Sequence, residues 1–165
     1  MGEKYSAMMA ELSEPRDMLK FVPLGLERLK EAYPLVRDMS PHITAEQWHD
    51  YVAPAIGGDK DAGVMAIESA HGFIRGLCVY RIVKEMDGSK NFVVIELMVS
   101  RTLYRKAAAK ILIAAMETEA KARGCGAIVA DCPVESRWLF DLAAQEGYHL
   151  MRWRMAKKLD AAEKS

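Results

Sequence analysis

The sequence predicts a single α+β domain in which helices flank a mixed sheet. Apolar strand-like runs separated by turn residues fill residues 63–99, a pattern that favours antiparallel hairpins. Beyond residue 100 the pattern becomes alternating helix and strand, which favours a βαβ-like unit. The chain has 165 residues, enough for one domain with a real core. We expect the domain to span 19–160, preceded by a polar, peripheral N-terminal segment, 1–18.

The elements of the N-terminal half are predicted from local signals. The apolar piece KFVPLGL (20–26) favours a first strand, and Pro23 would confine it to a sheet edge. Helical spacing of apolar residues over 25–39 predicts a helix in which Pro34 is a kink or a break. The capping-box pattern at 44–47 predicts that a second helix begins there.

Turn residues and hydrophobic periodicity order the rest of the chain. A turn at 70–72 separates two strands, 63–69 and 73–83, and Asp-Gly-Ser at 87–89 is a hairpin signal before strand 91–99. The remaining predicted elements are helix 105–123, strand 126–131, helix 136–146 and strand 148–158.

The composition argues against several function classes. The 23 basic residues balance the 23 acidic ones, which argues against a dedicated nucleic-acid surface. No apolar run approaches the roughly 20 residues needed to span a bilayer, and the N-terminus lacks the apolar centre of a signal peptide. The odd cysteine count without a Cys-x-x-Cys pair disfavours disulfides and zinc, and the histidines lack metal-ligand spacing. We therefore expect a protein of the reducing cytoplasm that binds no metal, no nucleic acid and no membrane.

The stretch 91–124 carries the functional information. Its strand is almost continuously apolar except for the carboxylate of Glu96, and its helix begins among basic residues, namely Arg101, Arg105, Lys106 and Lys110. Cations at a helix N-terminus oppose the helix dipole at a cost of some tenths of a kcal/mol each. An anion bound there would explain them, because free N–H groups and positive charge both favour a phosphate.

Residues 62–159 resemble, by their layout, the acyl-CoA-binding half of the GNAT-fold N-acetyltransferases. In that family a strand ending in a Val-x-Pro-like turn leads into Arg/Gln-x-x-Gly-x-Gly/Ala. Here Val99 stands at the valine, Tyr104 at the Arg/Gln, Ala107 at the first glycine and Ala109 at the Gly/Ala. Later, Glu146-Gly147-Tyr148 stands where the family has Leu-Gly-Phe.

The resemblance implies a fold, a co-substrate and a set of contacts. The central parallel strands would splay apart and admit acetyl-CoA, whose acetyl group passes directly to an amine on a small molecule or a protein. Homodimers are common in this fold. The residues that it places at the coenzyme are Leu97, Met98, Val99, Tyr104, Arg105, Lys106, Ala107, Ala108, Ala109, Lys110 and Ser136. Ser136 replaces an asparagine of the family, and its alternative role is a helix N-cap.

The resemblance also assigns Glu96 as the general base, because the family often has a glutamate three residues before the motif valine. The alternative is a cross-strand pair with Arg75 or Arg81. The family often places a tyrosine acid where this chain has Ala143. On sequence alone, Tyr104 or Tyr148 could take the place of that tyrosine as the general acid.

Two other functions stay open at this stage. Tyr104, Ala107 and Ala143 favour a catalytically silent member of the fold that binds acyl-CoA or serves as an interaction module. A small nucleic-acid binder is supported by the basic stretch 101–110 and disfavoured by the neutral net charge.

Overall fold

A five-stranded mixed sheet organises the residues that the computed structural model describes, 18–152 and 154–159. The strands lie in chain order, β1 to β5. The pairs β1–β2, β2–β3 and β3–β4 are antiparallel, and the pair β4–β5 is parallel. Their bounds are β1 Lys20–Pro23, β2 Ala62–Glu68, β3 Ile74–Lys84, β4 Lys90–Val99 and β5 Ala127–Ala130. The predicted mixed α+β sheet is therefore confirmed, with β1 at an edge as Pro23 requires.

The α-helices are α1 Leu29–Met39, α2 Ala45–Gly57, α3 Arg105–Ala122 and α4 Arg137–Gln145. A 3-10 turn, Leu26–Arg28, precedes α1, which continues through Pro34 without a break. The predicted capping box begins α2. Thr44 Oγ1 accepts from the Gln47 N–H at 3.1 Å, and the Gln47 side chain accepts from the Thr44 N–H at 2.9 Å.

The core has a layer on each face of the sheet. On one face α3 and α4 cover Cys78 and Phe92, and Leu112 of α3 is completely buried there. On the other face α1 and α2 cover Leu77 and Met98. Burial on both faces explains why β3 and β4 read as near-continuous apolar runs in the sequence.

The predicted strand 148–158 is wrong. Residues 148–152 and 154–159 form no strand, and their apolar side chains Leu150, Met151 and Met155 are exposed. Gly147 (φ 91°) ends α4, and an ion pair of 2.5 Å joins Arg154 to Asp131 just beyond β5. The alternation that favoured a strand therefore has no strand to pair with among the described residues.

Some predictions fall on residues outside the description. These are most of the peripheral segment 1–18, Trp153 within the predicted strand 148–158, and the domain end at 160. Within the described ranges, no helix is long and apolar enough to cross a membrane.

Candidate functional site

A β-bulge divides β4 into two halves. Val79 of β3 pairs with Glu96, and Tyr80 pairs with Val94, so that Ile95 is an extra residue on β4. An extra residue bends its strand and disturbs the ladder locally. The bulge lies just before Glu96 and therefore changes the direction of the half of β4 that follows.

The pairing between β4 and β5 stops at the same point. The parallel register runs from Asn91–Ala127 to Val94–Ala130, and no later residue of β4 pairs with the described part of β5. Residues 96–99 are thus held by β3 on one side, and the whole segment 95–99 has no strand partner on the side of β5. The pairing of the two central strands therefore ends where the resemblance expects them to splay apart.

Particular main-chain groups face the edge of β4 that β5 does not pair with. The Ser100 N–H donates to the Arg75 carbonyl at 2.8 Å, so residue 100 directs its main-chain groups toward β3. Successive residues of an antiparallel strand alternate between its two neighbours. The N–H and C=O groups of Leu97 and Val99 therefore face the open side, whereas those of Met98 face β3.

The N-terminus of α3 lies just beyond that edge, after a turn at 101–104. The N–H of Arg105 donates to the Thr102 carbonyl at 3.2 Å, and that of Ala108 donates to Tyr104 at 2.9 Å. Tyr104 is the N-cap residue and makes no side-chain capping bond. Within the described residues, the N–H groups of Lys106 and Ala107 have no acceptor, which makes them available to an anion.

The alanines of the predicted loop fall into two groups. Ala108 and Ala109 are buried in the core between α3 and the sheet, at 1% and 2% exposure, so their methyl groups point away from the helix end. Ala107 is half-buried beside its unpaired N–H. Of the two alanines at glycine positions of the family motif, Ala107 therefore places its methyl group next to the unpaired N–H groups, and Ala109 does not.

The basic side chains around this helix end differ in their partners. Arg105 lies over the Trp138 ring of α4, 4.8 Å from its centroid, and Lys110 approaches Glu146 at 3.6 Å. Arg101 and Lys106 are exposed. Arg105 and Lys110 thus also tie α3 to α4, while Lys106 projects from the first turn of α3.

Glu96 lies on the α2 side of the sheet and is half-buried. The residue opposite it on β3 is the apolar Val79. The Tyr51 hydroxyl of α2 donates to Glu96 Oε1 at 3.5 Å. Of the two arginines predicted as alternative partners, Arg81 pairs with Asp59 at 3.9 Å, and the Arg75 guanidinium lies, among its contacts, 5.4 Å from the centroid of the Phe73 ring.

Ser136 and Cys132 lie close together at the start of α4. Ser136 is the N-cap residue of α4, but its side chain makes no capping bond. The thiol of Cys132 lies 3.7 Å from the carbonyls of Pro133 and Ser136, and burial raises its pKa, which disfavours a reactive thiolate.

Tyr148 is not placed to be a ready proton donor. Its hydroxyl is buried without a hydrogen-bond partner among the described residues. Burial raises the pKa of Tyr148 to about 12, and Glu117 and Cys78 add to the effect. Among the same residues, no group of three or more His, Cys, Asp or Glu side chains is placed to hold a metal ion.

Comparison with solved structures identifies the fold. A glucosamine-6-phosphate N-acetyltransferase from Arabidopsis thaliana is 19% identical, with a TM-score of 0.67 over 86% of this chain and 99% of its own. The aminoglycoside N-acetyltransferase AAC(6')-Iy, solved with CoA, is 14% identical, with a TM-score of 0.74 over 87% and 95%. A ribosomal-protein-alanine N-acetyltransferase from Brucella melitensis biovar Abortus 2308 is 17% identical, with a TM-score of 0.71 over 86% and 99%.

The chain therefore has the GNAT fold, the fold that these N-acetyltransferases share. No protein-family model matches the sequence, and no curated protein matches it either. The fold expected from the strand–helix layout is confirmed.

Two features of the site were not predicted from the sequence: the bulge at Ile95 and the approach of Tyr51 to Glu96. The carboxylate inside an apolar strand was the one local sign of an irregularity in β4. No local sequence pattern pointed to Tyr51. Its contact with Glu96, 45 residues further along the chain, depends on how α2 packs on the sheet.

Proposed function

We propose that this protein is an acyl-CoA-dependent N-acetyltransferase that transfers an acetyl group directly from acetyl-CoA to an amine. The observation that carries the proposal is the open half of β4, residues 95–99, which ends at a basic helix start with unpaired N–H groups. A thioester arm needs main-chain partners along a strand, and a diphosphate needs N–H donors and positive charge. This chain offers both next to each other.

The N–H and C=O groups of Leu97 and Val99 are the proposed partners of the amide-bearing arm of the coenzyme. An N–H on this open edge would also stabilise negative charge that develops on the acetyl oxygen. These roles do not depend on side-chain identity, so the departures at Tyr104 and Ala107 leave them intact. Positioning alone supplies several kcal/mol to a reaction of this kind.

The diphosphate would lie at the first turn of α3. The unpaired N–H groups of Lys106 and Ala107 point out of the helix end, and the side chain of Lys106 is exposed beside them. The methyl group of Ala107 narrows the path of a diphosphate to these N–H groups. Those of Ala108 and Ala109 do not, because both residues are buried in the core. Ser136, at the start of α4, is a further proposed contact.

Glu96 is the proposed general base. In the reaction the amine nitrogen forms a bond to the thioester carbon, the carbon–sulfur bond breaks, and the sulfur leaves as a thiolate. The nitrogen loses a proton to Glu96, directly or through water, and the thiolate takes one up from solvent. A thiol has an ordinary pKa near 8.5, so the thiolate leaves without a dedicated acid.

The acceptor is an amine, on a small molecule or on a protein. The solved acetyltransferases of this fold are named for acceptors as different as glucosamine 6-phosphate, an aminoglycoside and a ribosomal protein. The face on which Glu96 and Tyr51 lie is where the acceptor would enter. We also propose a reducing compartment such as the cytoplasm, since Cys78, Cys125 and Cys132 are all free thiols.

A protein that binds acyl-CoA without catalysis is the second candidate. It is favoured by Ala143, which stands at the position of the usual acid, and by the buried hydroxyl of Tyr148. In that case the coenzyme would bind as proposed, but no amine would be acetylated.

Two measurements test the proposal in order. Acetyl-CoA at a free concentration of 100 Kd should raise the stability by about 2.7 kcal/mol, measured as a shift in Tm, with AMP as the control ligand. A panel of amines should then release free CoA thiol. The absence of a thermal shift at millimolar acetyl-CoA would contradict both candidates, and binding without thiol release would leave the second.

A further inference from the structure

The contact between α2 and the open half of β4 joins a helix tyrosine to the proposed base. Tyr51 and Glu96 lie 45 residues apart in the chain, and their side-chain oxygens are 3.5 Å apart. The distance is at the long limit of a hydrogen bond. Hydrogen bonds of catalytic groups are often long in ligand-free enzymes and shorten when substrate binds.

The core of the protein does not require Tyr51. Trp48, Val52 and Ala55 form the buried face of α2, and the Trp48 Nε1 donates to the Leu29 carbonyl at 3.2 Å, which fixes α2 against α1. Tyr51 lies to the side of that face and is 52% exposed. Its hydroxyl reaches Glu96, just past the residue at which the pairing of β4 with β5 ends.

Few other contacts fix the orientation of the Glu96 carboxylate. Val79, its neighbour across β3, cannot form a hydrogen bond through its side chain. Among the described residues, the Glu96 side chain forms one hydrogen bond, and its partner is Tyr51. A carboxylate without a fixed rotamer is a poorly aligned base, because small displacements of a reacting group cost large factors in rate.

We propose that Tyr51 is a positioning residue for Glu96: its hydroxyl donates to Oε1 and holds the carboxylate toward an amine that enters between α2 and β4. The inference rests on the proposed transferase function. It assigns the acceptor entrance to the α2 face of the sheet, opposite the face covered by α3 and α4.

The electrostatics keep Tyr51 in the donor form. Burial raises the pKa of Tyr51 above its ordinary value, the adjacent Glu96 carboxylate raises it further, and Arg81 opposes them. The phenol therefore stays protonated at neutral pH and donates to Glu96.

Kinetics of single and double variants test the role. Tyr51→Phe keeps the ring and removes the donor, so kcat should fall on the order of tenfold, while the KM for acetyl-CoA and the Tm stay unchanged. In a Glu96→Gln background the same change should cause no further loss, because the carboxylate that Tyr51 aligns is already gone. Tyr33→Phe is the matched control, since Tyr33 donates to the Ile43 carbonyl at 3.0 Å between α1 and the segment before α2.

The opposite results have distinct meanings. A Tyr51→Phe variant with wild-type kcat, or losses that multiply in the double variant, would overturn the positioning role and leave the transferase proposal standing. A wild-type protein that binds acetyl-CoA but acetylates no amine would overturn both proposals.

The contact itself has a readout that does not depend on activity. With tyrosine labelled with 13C at Cζ, Glu96→Gln should lower the pKa of Tyr51, because it removes a carboxylate that raises it. Glu46→Gln, an exposed change on the same helix, should leave that titration unchanged. An unchanged Tyr51 titration in Glu96→Gln would show that the hydroxyl and the carboxylate are not paired in solution, which overturns the inference.

Discussion

The two halves of β4 belong to one strand but have opposite roles. From Asn91 to Val94 the strand pairs with β3 on one side and β5 on the other. From Glu96 to Val99 it pairs with β3 alone. The first half holds the sheet together, and the second half leaves main-chain groups open to a ligand.

The difference shows how a sheet forms a binding site by leaving hydrogen bonds unmade. A single extra residue, Ile95, separates the halves, and β5 ends where the bulge begins. Stability is expected to depend on the first half and coenzyme binding on the second. Variants confined to one half should therefore change one property and spare the other.

Phe92→Ala should be the most damaging change to the first half. Phe92 is completely buried and stacks on Tyr80 with ring centroids 4.4 Å apart. Its truncation should lower the free energy of unfolding by about 3–5 kcal/mol, measured by denaturant titration. Ile95→Ala, at a 39% exposed position in the bulge, is the matched change and should cost less than about 1 kcal/mol. Equal losses would contradict the division.

Glu96→Gln should leave the fold intact and remove the proposed base. The rate of thiol release at saturating acetyl-CoA and amine should fall about 100-fold or more, with the Tm unchanged. Glu135→Gln, an exposed carboxylate before α4, serves as the control. Undiminished turnover in Glu96→Gln would remove Glu96 from the mechanism.

Lys106→Glu should weaken coenzyme binding without changing the core. A reversed charge beside the unpaired N–H groups of the first turn of α3 should cost about 1 kcal/mol, or about fivefold in Kd. The Kd for acetyl-CoA can be measured by calorimetry. Lys121→Glu, in the last turn of the same helix, should leave affinity unchanged. The same loss in both variants would indicate a general charge effect and not a local site.

Ala107→Gly should have the smallest effect, and its two consequences should differ in sign. The glycine should lower the free energy of unfolding by about 0.5–1 kcal/mol and strengthen acetyl-CoA binding, because it removes the methyl group beside the unpaired N–H. Ala114→Gly, at an exposed position within α3, should cost similar stability with unchanged affinity. Weaker binding in Ala107→Gly alone would show that its methyl group supports the site.

Much of the fold could be predicted because its signals are local. The capping box at Thr44, the glycine turn at Gly88 and the apolar face of α3 each determine an element within a few residues. The strand predicted over 148–158 failed for the same reason. Alternation is local, but a strand also needs a neighbour to pair with, and the sequence does not show one.

The candidate site was only partly predictable. The position of Glu96 and the basic start of α3 are visible in the sequence. The bulge at Ile95 and the contact of Tyr51 depend on register and on helix packing, which involve residues far apart in the chain. The predicted contacts of Tyr104, Lys110 and Ser136 with the coenzyme stay predictions.

Amide chemical shifts of 15N-labelled protein titrated with CoA test the central claim most directly. The open half of β4 should respond at Leu97 and Val99, together with Lys106 and Ala107 at the start of α3, while Asn91–Val94 should shift little. Shifts confined to other regions, or none at millimolar CoA, would contradict the account that β4 opens there to bind the coenzyme.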